Sequence, residues 1–364
     1  MDASHSHRQP AFHPVFCTVV PPHLLDKAAL SGDSRRADLA QRTLERDSLL
    51  RTRRRVTAVR GIAATLAAPA PDASDDPRRT IYDAQHRTRL PGKKVRGEGG
   101  EASKDATVNR AYAGLGATYE LFLKGFGRRS IDDAGLALDA SVHYGEDYNN
   151  AFWDGQQMVF GDGDGDLFLD FTVSVDVIGH ELTHGVTQYT ANLNYHGQSG
   201  ALNESMSDVF GSLIKQYSLE QTADQADWLI GAGLLGPNVT GVALRSMKAP
   251  GTAYDDDELG KDPQPATMDD YVDTPRDNGG VHINSGIPNH AFYVVATELG
   301  GKAWERAGQI WYDALTGGEL GSNADFADFA RLSTAAAVAR YGDGGAEHLA
   351  LQKAWSAVGV PLAG

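Results

Sequence analysis

The spacing of apolar residues along this chain changes period several times, and the changes mark out its elements. In "VDVIGHELTHGVTQ", residues 175–188, Val177, Ile178, Leu182 and Val186 recur at three- and four-residue intervals behind Ser174, which predicts a buried helix with Ser174 as its N-cap. In "SGALNESMSDVFGSLIKQY", Leu202, Met206, Val209, Phe210, Leu213 and Ile214 predict a second amphipathic helix. "LALDASVHY" alternates instead, through Leu136, Leu138, Ala140, Val142 and Tyr144, and predicts a half-buried strand. Beyond residue 282 helical periods dominate, in "PNHAFYVVATEL", "KAWERAGQIWYDAL" and "FADFARLSTAAAVARY". The predicted class is α+β in two lobes: a β-rich lobe over 80–190 that ends in the 175–188 helix, and a helical lobe over 191–364. The 175–188 helix would run along the floor of the cleft between them.

The first 60 residues differ in kind. Residues 33–57 read as a polar helix carrying Leu39, Leu44 and Leu49, and "AATLAAPAPDASDDP", residues 63–77, reads as a flexible linker, so 61–79 forms a joining region suited to processing. The whole chain has formal net charge -15, yet residues 1–60 hold 11 Lys/Arg against 6 Asp/Glu, net +5, leaving 22 against 42, net -20, for the rest. A basic leader thus precedes an acidic body. That balance argues against a nucleic-acid partner, and no apolar run approaches the roughly 18 residues of a membrane span. The leader lacks a Lys/Arg cluster followed by an apolar core, so export by a non-standard route, or retention in the cytoplasm until release, is the expectation. Cys17 is the only cysteine, which excludes an intrachain disulfide and reads most simply as a small apolar packing residue. "FGDGDGDLF" carries Asp162, Asp164 and Asp166 but lacks the glycine and terminal glutamate of an EF-hand loop, so a hairpin turn is expected. His143, His196, His290 and His348 match no ligand spacing, and "YDDDELG" reads as a solvated acidic loop.

The chemistry concentrates in the 175–188 helix. His180 and His184, four residues apart, project from one face closely enough to share an ion, and Glu181 lies beside that face. A packed pair of core histidines is the bland alternative. A catalytic zinc takes three protein ligands and leaves the fourth position to water, so a third ligand is required. Glu204, 20 positions after His184 and near the start of the second helix, is the candidate. Asp208, one turn beyond it, could accept the second ring N–H of one histidine and fix its tautomer, and Asn203 could serve the other.

With these motifs in order, the chain resembles the thermolysin-like zinc metallopeptidases through nearly all of residues 80–364. The resemblance rests on "YNNAFWDGQQMVFGDGDGD", "HELTHGVTQYT", "SGALNESMSDVFG", "ALRSM" and "DNGGVHINSGI". It implies a two-lobe metallopeptidase fold, one catalytic Zn2+ on His180, His184 and Glu204, and protein or peptide substrates; thermolysin is itself a standard example of a two-His, one-Glu zinc site. Peptide hydrolysis needs an activated water, a base and donors facing the oxyanion. The metal would activate the water and Glu181 would take its proton and pass it to the leaving amine. Tyr195 and His282 match the family's oxyanion donors, with Asp277 orienting His282. Asn150 and the backbone of Ala151 match the edge strand that pairs with an extended peptide, and Arg245 the residue that holds the carbonyl after the cut. Phe168, Phe171, Val177 and Leu244 match an apolar pocket for the residue following the scissile bond. Cleavage on the N-terminal side of apolar residues is therefore expected.

"VVPPHLL" is similar to the Pro-Pro-x-Leu element in the short prosegments of the protealysin-like branch, here Pro21, Pro22, His23 and Leu24. The resemblance implies a proenzyme, monomeric, whose leader is an intramolecular inhibitor, with Pro21-Pro22 expected to fill the cleft while resisting cleavage. A sharper alternative for Cys17 is a thiolate in zinc's open position. Calcium is doubtful: Asp176 and Asp227 stand where many relatives bind calcium, but Lys215, Leu229 and Ala232 replace carboxylates, and the Lys215 ammonium could pair with Asp176 or Asp227. A catalytically silent protein-binding member of the fold is the alternative from another class, although Glu181 and His282 are both retained. A zinc hydrolase acting on other bonds is a third.

Overall fold

A computed structural model describes residues 17–59 and 75–362. All but the last three residues of the expected linker lie outside the described residues. The leader contributes α1 (Pro22–Ala28) and α2 (Ser34–Val59). Pro22 stands in the first turn of α1, where its fixed φ suits the helix and its missing N–H has no intrahelical partner to lose. The Asp33 carboxylate accepts from the backbone N–H of Arg35 and Arg36 and so starts α2, the polar helix expected here; Leu39 is buried on it but Leu49 is exposed.

The body begins with a five-stranded sheet in the order β2-β1-β3-β5-β4, built from β1 (Arg79–Asp83), β2 (Lys93–Gly97), β3 (Leu138–Val142), β4 (Ala151–Trp153) and β5 (Gln157–Phe160). Parallel pairs β1·β3 and β3·β5 form its centre, antiparallel β2 and β4 its two edges. Helix α3 (Ala106–Glu120) packs between this sheet and the helices behind it. The strand expected over 136–144 is shorter, His143 turning to φ 55 directly after Val142; nor does it alternate, because β3 lies centrally and Leu138, Ala140, Ser141 and Val142 are all buried. The Asp-Gly repeat after β5 is not a hairpin turn. Asp164 accepts from the N–H of Asp166, Leu167 and Phe168 and curls the chain into a loop that pairs at Phe168 with Leu235.

Helix α4 (Val175–Gln188) and α5 (Gly197–Ser218) cross at the centre of the molecule. Their backbones approach closely: a Cβ on Gly179 would meet Ile214 Cδ1 at 2.5 Å and Gly211 Cα at 3.2 Å, and one on Gly211 would meet the Asp176 carbonyl oxygen at 2.5 Å. Ser174 holds the N-cap position of α4, but its side chain does not cap; its hydroxyl donates to Asp176 Oδ1 at 2.5 Å, because that buried carboxylate competes for it. Two short paired strands follow, β6 (Leu229–Ile230) and β7 (Arg245–Ser246). Then come α6 (Asp277–Asn284), α7 (Gly286–Leu299), α8 (Ala307–Thr316), α9 (Phe326–Tyr341) and α10 (Ala346–Ala357). Helix α8 starts five residues later than "KAWERAGQIWYDAL" suggests, and α10 carries no pattern singled out above.

Candidate active site

Helices α4 and α5 bring the expected residues to one point. His180 Nε2 and His184 Nε2 lie 3.1 Å apart, and Glu204 places Oε2 3.6 Å from the first and Oε1 3.5 Å from the second. Each imidazole has its other nitrogen occupied: Nδ1–H of His180 donates to Asp208 Oδ1 and that of His184 to Asn203 Oδ1, both at 2.8 Å. The Nε2 lone pairs are thereby turned toward each other and toward a carboxylate. Such a convergence suits a cation. Donors about 2.0–2.3 Å from a common zinc would lie roughly 3.3–3.8 Å apart, close to the observed separations, and buried Glu204 Oε2 has no hydrogen-bond donor among the described residues. His180, His184 and Glu204 therefore fit zinc. Burial holds the His184 imidazole down to about 4 and keeps it a neutral ligand. Burial alone would raise Glu204, but the neighbouring imidazoles, His282 first, hold it at about 2 and ionised.

Glu181 follows His180 on α4 and is fully buried; its Oε2 accepts from the Trp153 N–H of β4 at 3.0 Å. That backbone donor ties the carboxylate to the edge strand, a link with no counterpart in the sequence pattern. Opposite stand Tyr195 and His282, the tyrosine hydroxyl 3.1 Å from His282 Nε2 and hydrogen-bonded to Glu204. Residues 277–280 adopt left-handed backbone angles in succession, φ 52, 50, 86 and 74, which fold Asp277 back over His282. Its carboxylate accepts from His282 Nδ1 at 2.6 Å and from the His282 backbone N–H at 2.8 Å. Burial opposes charge on His282, but Asp277 and then Glu204 outweigh it and raise its pKa. Arg245, on β7, donates through Nε and Nη2 to Asp208, each at 2.8 Å, and Asn289 on α7 donates to the same carboxylate. Asp208 thus couples His180 to Arg245. Phe168, Phe171, Val177 and Leu244 are all buried and belong to the main apolar core, the rings of Phe168 and Phe171 with centroids 6.0 Å apart.

The leader runs through this site. Residues 17–20 lie antiparallel to edge strand β4: Thr18 bridges Phe152, the Val19 N–H donates to the Ala151 carbonyl at 3.1 Å, and the Val20 N–H donates to Asn150 Oδ1 at 2.9 Å. Arg245 Nη1 donates to the Val19 carbonyl at 3.2 Å. Val19 and Val20 make these contacts; the buried Pro21 follows them directly at the N-cap of α1 and Pro22 stands in its first turn, because proline suits a helix start and cannot extend a ladder, and Leu24 is buried on that helix. One expectation is corrected here. Cys17 is not surrounded by apolar partners: its sulfur lies 2.9 Å from Glu204 Oε1, 2.9 Å from the Tyr195 hydroxyl and 3.7 Å from His282 Nε2. Burial, then Glu204 and Glu181, push this thiol well above its ordinary value.

Two side groups lie apart. Lys215 donates to Asp176 at 3.1 Å and to Asp227 at 2.7 Å, so an ammonium stands between those carboxylates. His143, read above as matching no ligand set, is held by Asp162 and Asp105, both at 2.8 Å, and with His86 and Asp162 forms a part-exposed trio. Asp162 and Asp105 lift the His143 imidazole to about 9, which makes it a cation between two carboxylates.

Two imidazoles and a carboxylate converging under an edge strand, with an unligated glutamate alongside, define a metal-dependent hydrolase built to receive extended polypeptide. Comparison with known proteins narrows the class. Residues 68–188 match the family model described as thermolysin metallopeptidase, catalytic domain, and residues 191–360 its α-helical domain. An extracellular metalloprotease of Pectobacterium carotovorum subsp. carotovorum is 50% identical over 351 residues, 95% of this chain and 97% of that protein. Protease PrtS of a Photorhabdus species is 56% identical over 262 residues, 71% of each chain. The solved precursor of protealysin, a metalloproteinase from Serratia proteamaculans, superposes with TM-score 0.85 at 51% identity, covering 95% of this chain and 100% of its own. This chain belongs to the thermolysin family of metallopeptidases.

Proposed function

We propose that the chain is the proenzyme of a zinc endopeptidase that cuts on the N-terminal side of apolar residues and whose leader inhibits it by binding as a substrate would. The observation that carries this reading is the leader strand itself: a peptide on edge strand β4, beside a two-His, one-Glu donor set, with Glu181 buried at its side. Zinc, when bound to His180, His184 and Glu204, acidifies water and polarises a carbonyl. Glu181, held by the Trp153 N–H, takes the proton of the attacking water and returns it to the departing amine. Tyr195 and a protonated His282, the latter fixed by Asp277, donate to the oxyanion as charge develops. Asn150, the Ala151 backbone and Arg245 hold the peptide beyond the cut, as they hold Val20 and Val19 of the leader. In that frame Val19 is the residue after the scissile position, and Phe168, Phe171, Val177 and Leu244 would line its pocket. Lys215 supplies the charge that calcium would otherwise supply between Asp176 and Asp227.

The test is digestion of casein and a mixed peptide library, with and without a zinc chelator, and mass spectrometry of the products. Chelator-sensitive cuts preceding Leu, Phe, Ile or Val are expected. Cuts that ignore the chelator would remove the zinc mechanism, and cuts preceding charged residues would remove the pocket assignment.

A further inference from the structure

We propose that Cys17 is a fourth ligand of the zinc in the intact chain, its sulfur standing where the hydrolytic water must bind, so that the leader is held uncut although its Thr18–Val19 bond lies in cleavage register. This rests on the zinc reading above. The sulfur of Cys17 and the donor atoms of His180, His184 and Glu204 all lie within 4.8 Å of one another, and all four residues are buried. A packing cysteine would face apolar side chains, whereas this one faces a carboxylate, a tyrosine hydroxyl and an imidazole. Glu204 Oε2, buried and without a hydrogen-bond donor among the described residues, lies 3.6 Å from both His180 Nε2 and His282 Nε2. Two imidazoles, a carboxylate and a thiolate make a complete tetrahedral set of the closed kind, with no position left for water. As the sulfur binds, its S–H bond breaks and the proton passes to solvent, as in thiol coordination generally.

The register explains why such a device is needed. The Val19 N–H on Ala151, the Val20 N–H on Asn150 and the Val19 carbonyl under Arg245 are the contacts proposed for a substrate just beyond its scissile bond. A leader bound that way exposes Thr18–Val19 to attack. Occlusion alone does not protect it, since every substrate occludes the cleft; what protects it is the loss of the nucleophile's place, two residues upstream on the same strand.

The experiment uses the full chain carrying Glu181→Gln, so that it stays intact, loaded with zinc or with Co2+. X-ray absorption at the zinc edge should require one sulfur at about 2.3 Å. The cobalt form should show an intense near-ultraviolet thiolate-to-metal band, lost in Cys17→Ser/Glu181→Gln at unchanged cobalt stoichiometry. A zinc shell of nitrogen and oxygen only, or equal cobalt spectra for the two proteins, would overturn the proposal while leaving the zinc enzyme standing. Failure to bind either metal would overturn both. Cys17→Ser with Glu181 restored should release a new N-terminus at Val19, read by mass spectrometry; a chain that keeps Thr18–Val19 intact would show that the sulfur is not what protects the bond.

Discussion

Glu181 and Glu204 are both fully buried carboxylates within one cluster, and their neighbours divide their work. Glu204 is surrounded by imidazoles and suits metal ligation; Glu181 is anchored by a backbone N–H and suits proton transfer. Glu181→Gln should therefore keep zinc while losing activity by roughly three orders of magnitude or more, measured as kcat beside metal content. Asp208→Asn should weaken zinc binding about 10- to 100-fold in chelator competition, since it leaves the ligands in place but loosens the hydrogen bond that orients His180. At Lys215, removal of the ammonium leaves Asp176 buried without its cation. Lys215→Ala should lower unfolding free energy by about 1–3 kcal/mol, read by thermal melting, and a calcium-selective chelator should leave the parent's Tm unchanged.

At the scale of elements, the sequence shows the parts of the site that share a helix and hides those that depend on how helices meet. His180 and His184 lie one turn apart, so α4 presents them together whatever it packs against. The apolar periodicity of α4 and α5 likewise announces two helices, and block resemblance points to Glu204, Tyr195, His282 and Arg245. Their closeness depends on the Gly179–Gly211 crossing, which no hydrophobic period encodes. Gly211→Ala should push α5 away from the Asp176 carbonyl, costing about 1–3 kcal/mol and weakening zinc binding because Glu204 moves while the histidines stay. Chemical denaturation and metal titration of the same variant check both parts. Cys17 was legible only as a choice between a packing residue and a thiolate at the metal, for a related reason: 187 residues separate it from Glu204, and nothing in "VFCTVV" indicates which side chain the strand will turn inward.

Across the whole molecule the leader is held by more than its strand. Arg36 pairs with Asp166 at 2.6 Å and Glu258 at 3.4 Å, local expressions of a basic leader on an acidic body, while Asp47 of α2 is buried against Tyr148 and Asn150. Burial lifts the Asp47 carboxyl to about 7. Between roughly pH 4 and 7 the docked leader keeps a proton that a free leader would lose, so docking weakens as pH rises through that window and is level above it. Hydrogen exchange at the Val19 and Val20 amides in the Glu181→Gln chain, corrected for intrinsic rates, should show protection falling more than tenfold across the window, and Asp47→Asn should flatten that dependence. Docking has one more consequence, for solubility. Strand β4 ends its sheet, and an unpaired sheet edge invites other chains to add to it and aggregate. While the leader lies there it is a temporary sixth strand that closes the edge; once it is gone, any loose polypeptide that adds to the edge is delivered to the catalytic centre, so the mature enzyme clears by cleavage the very contacts that would nucleate its own precipitation.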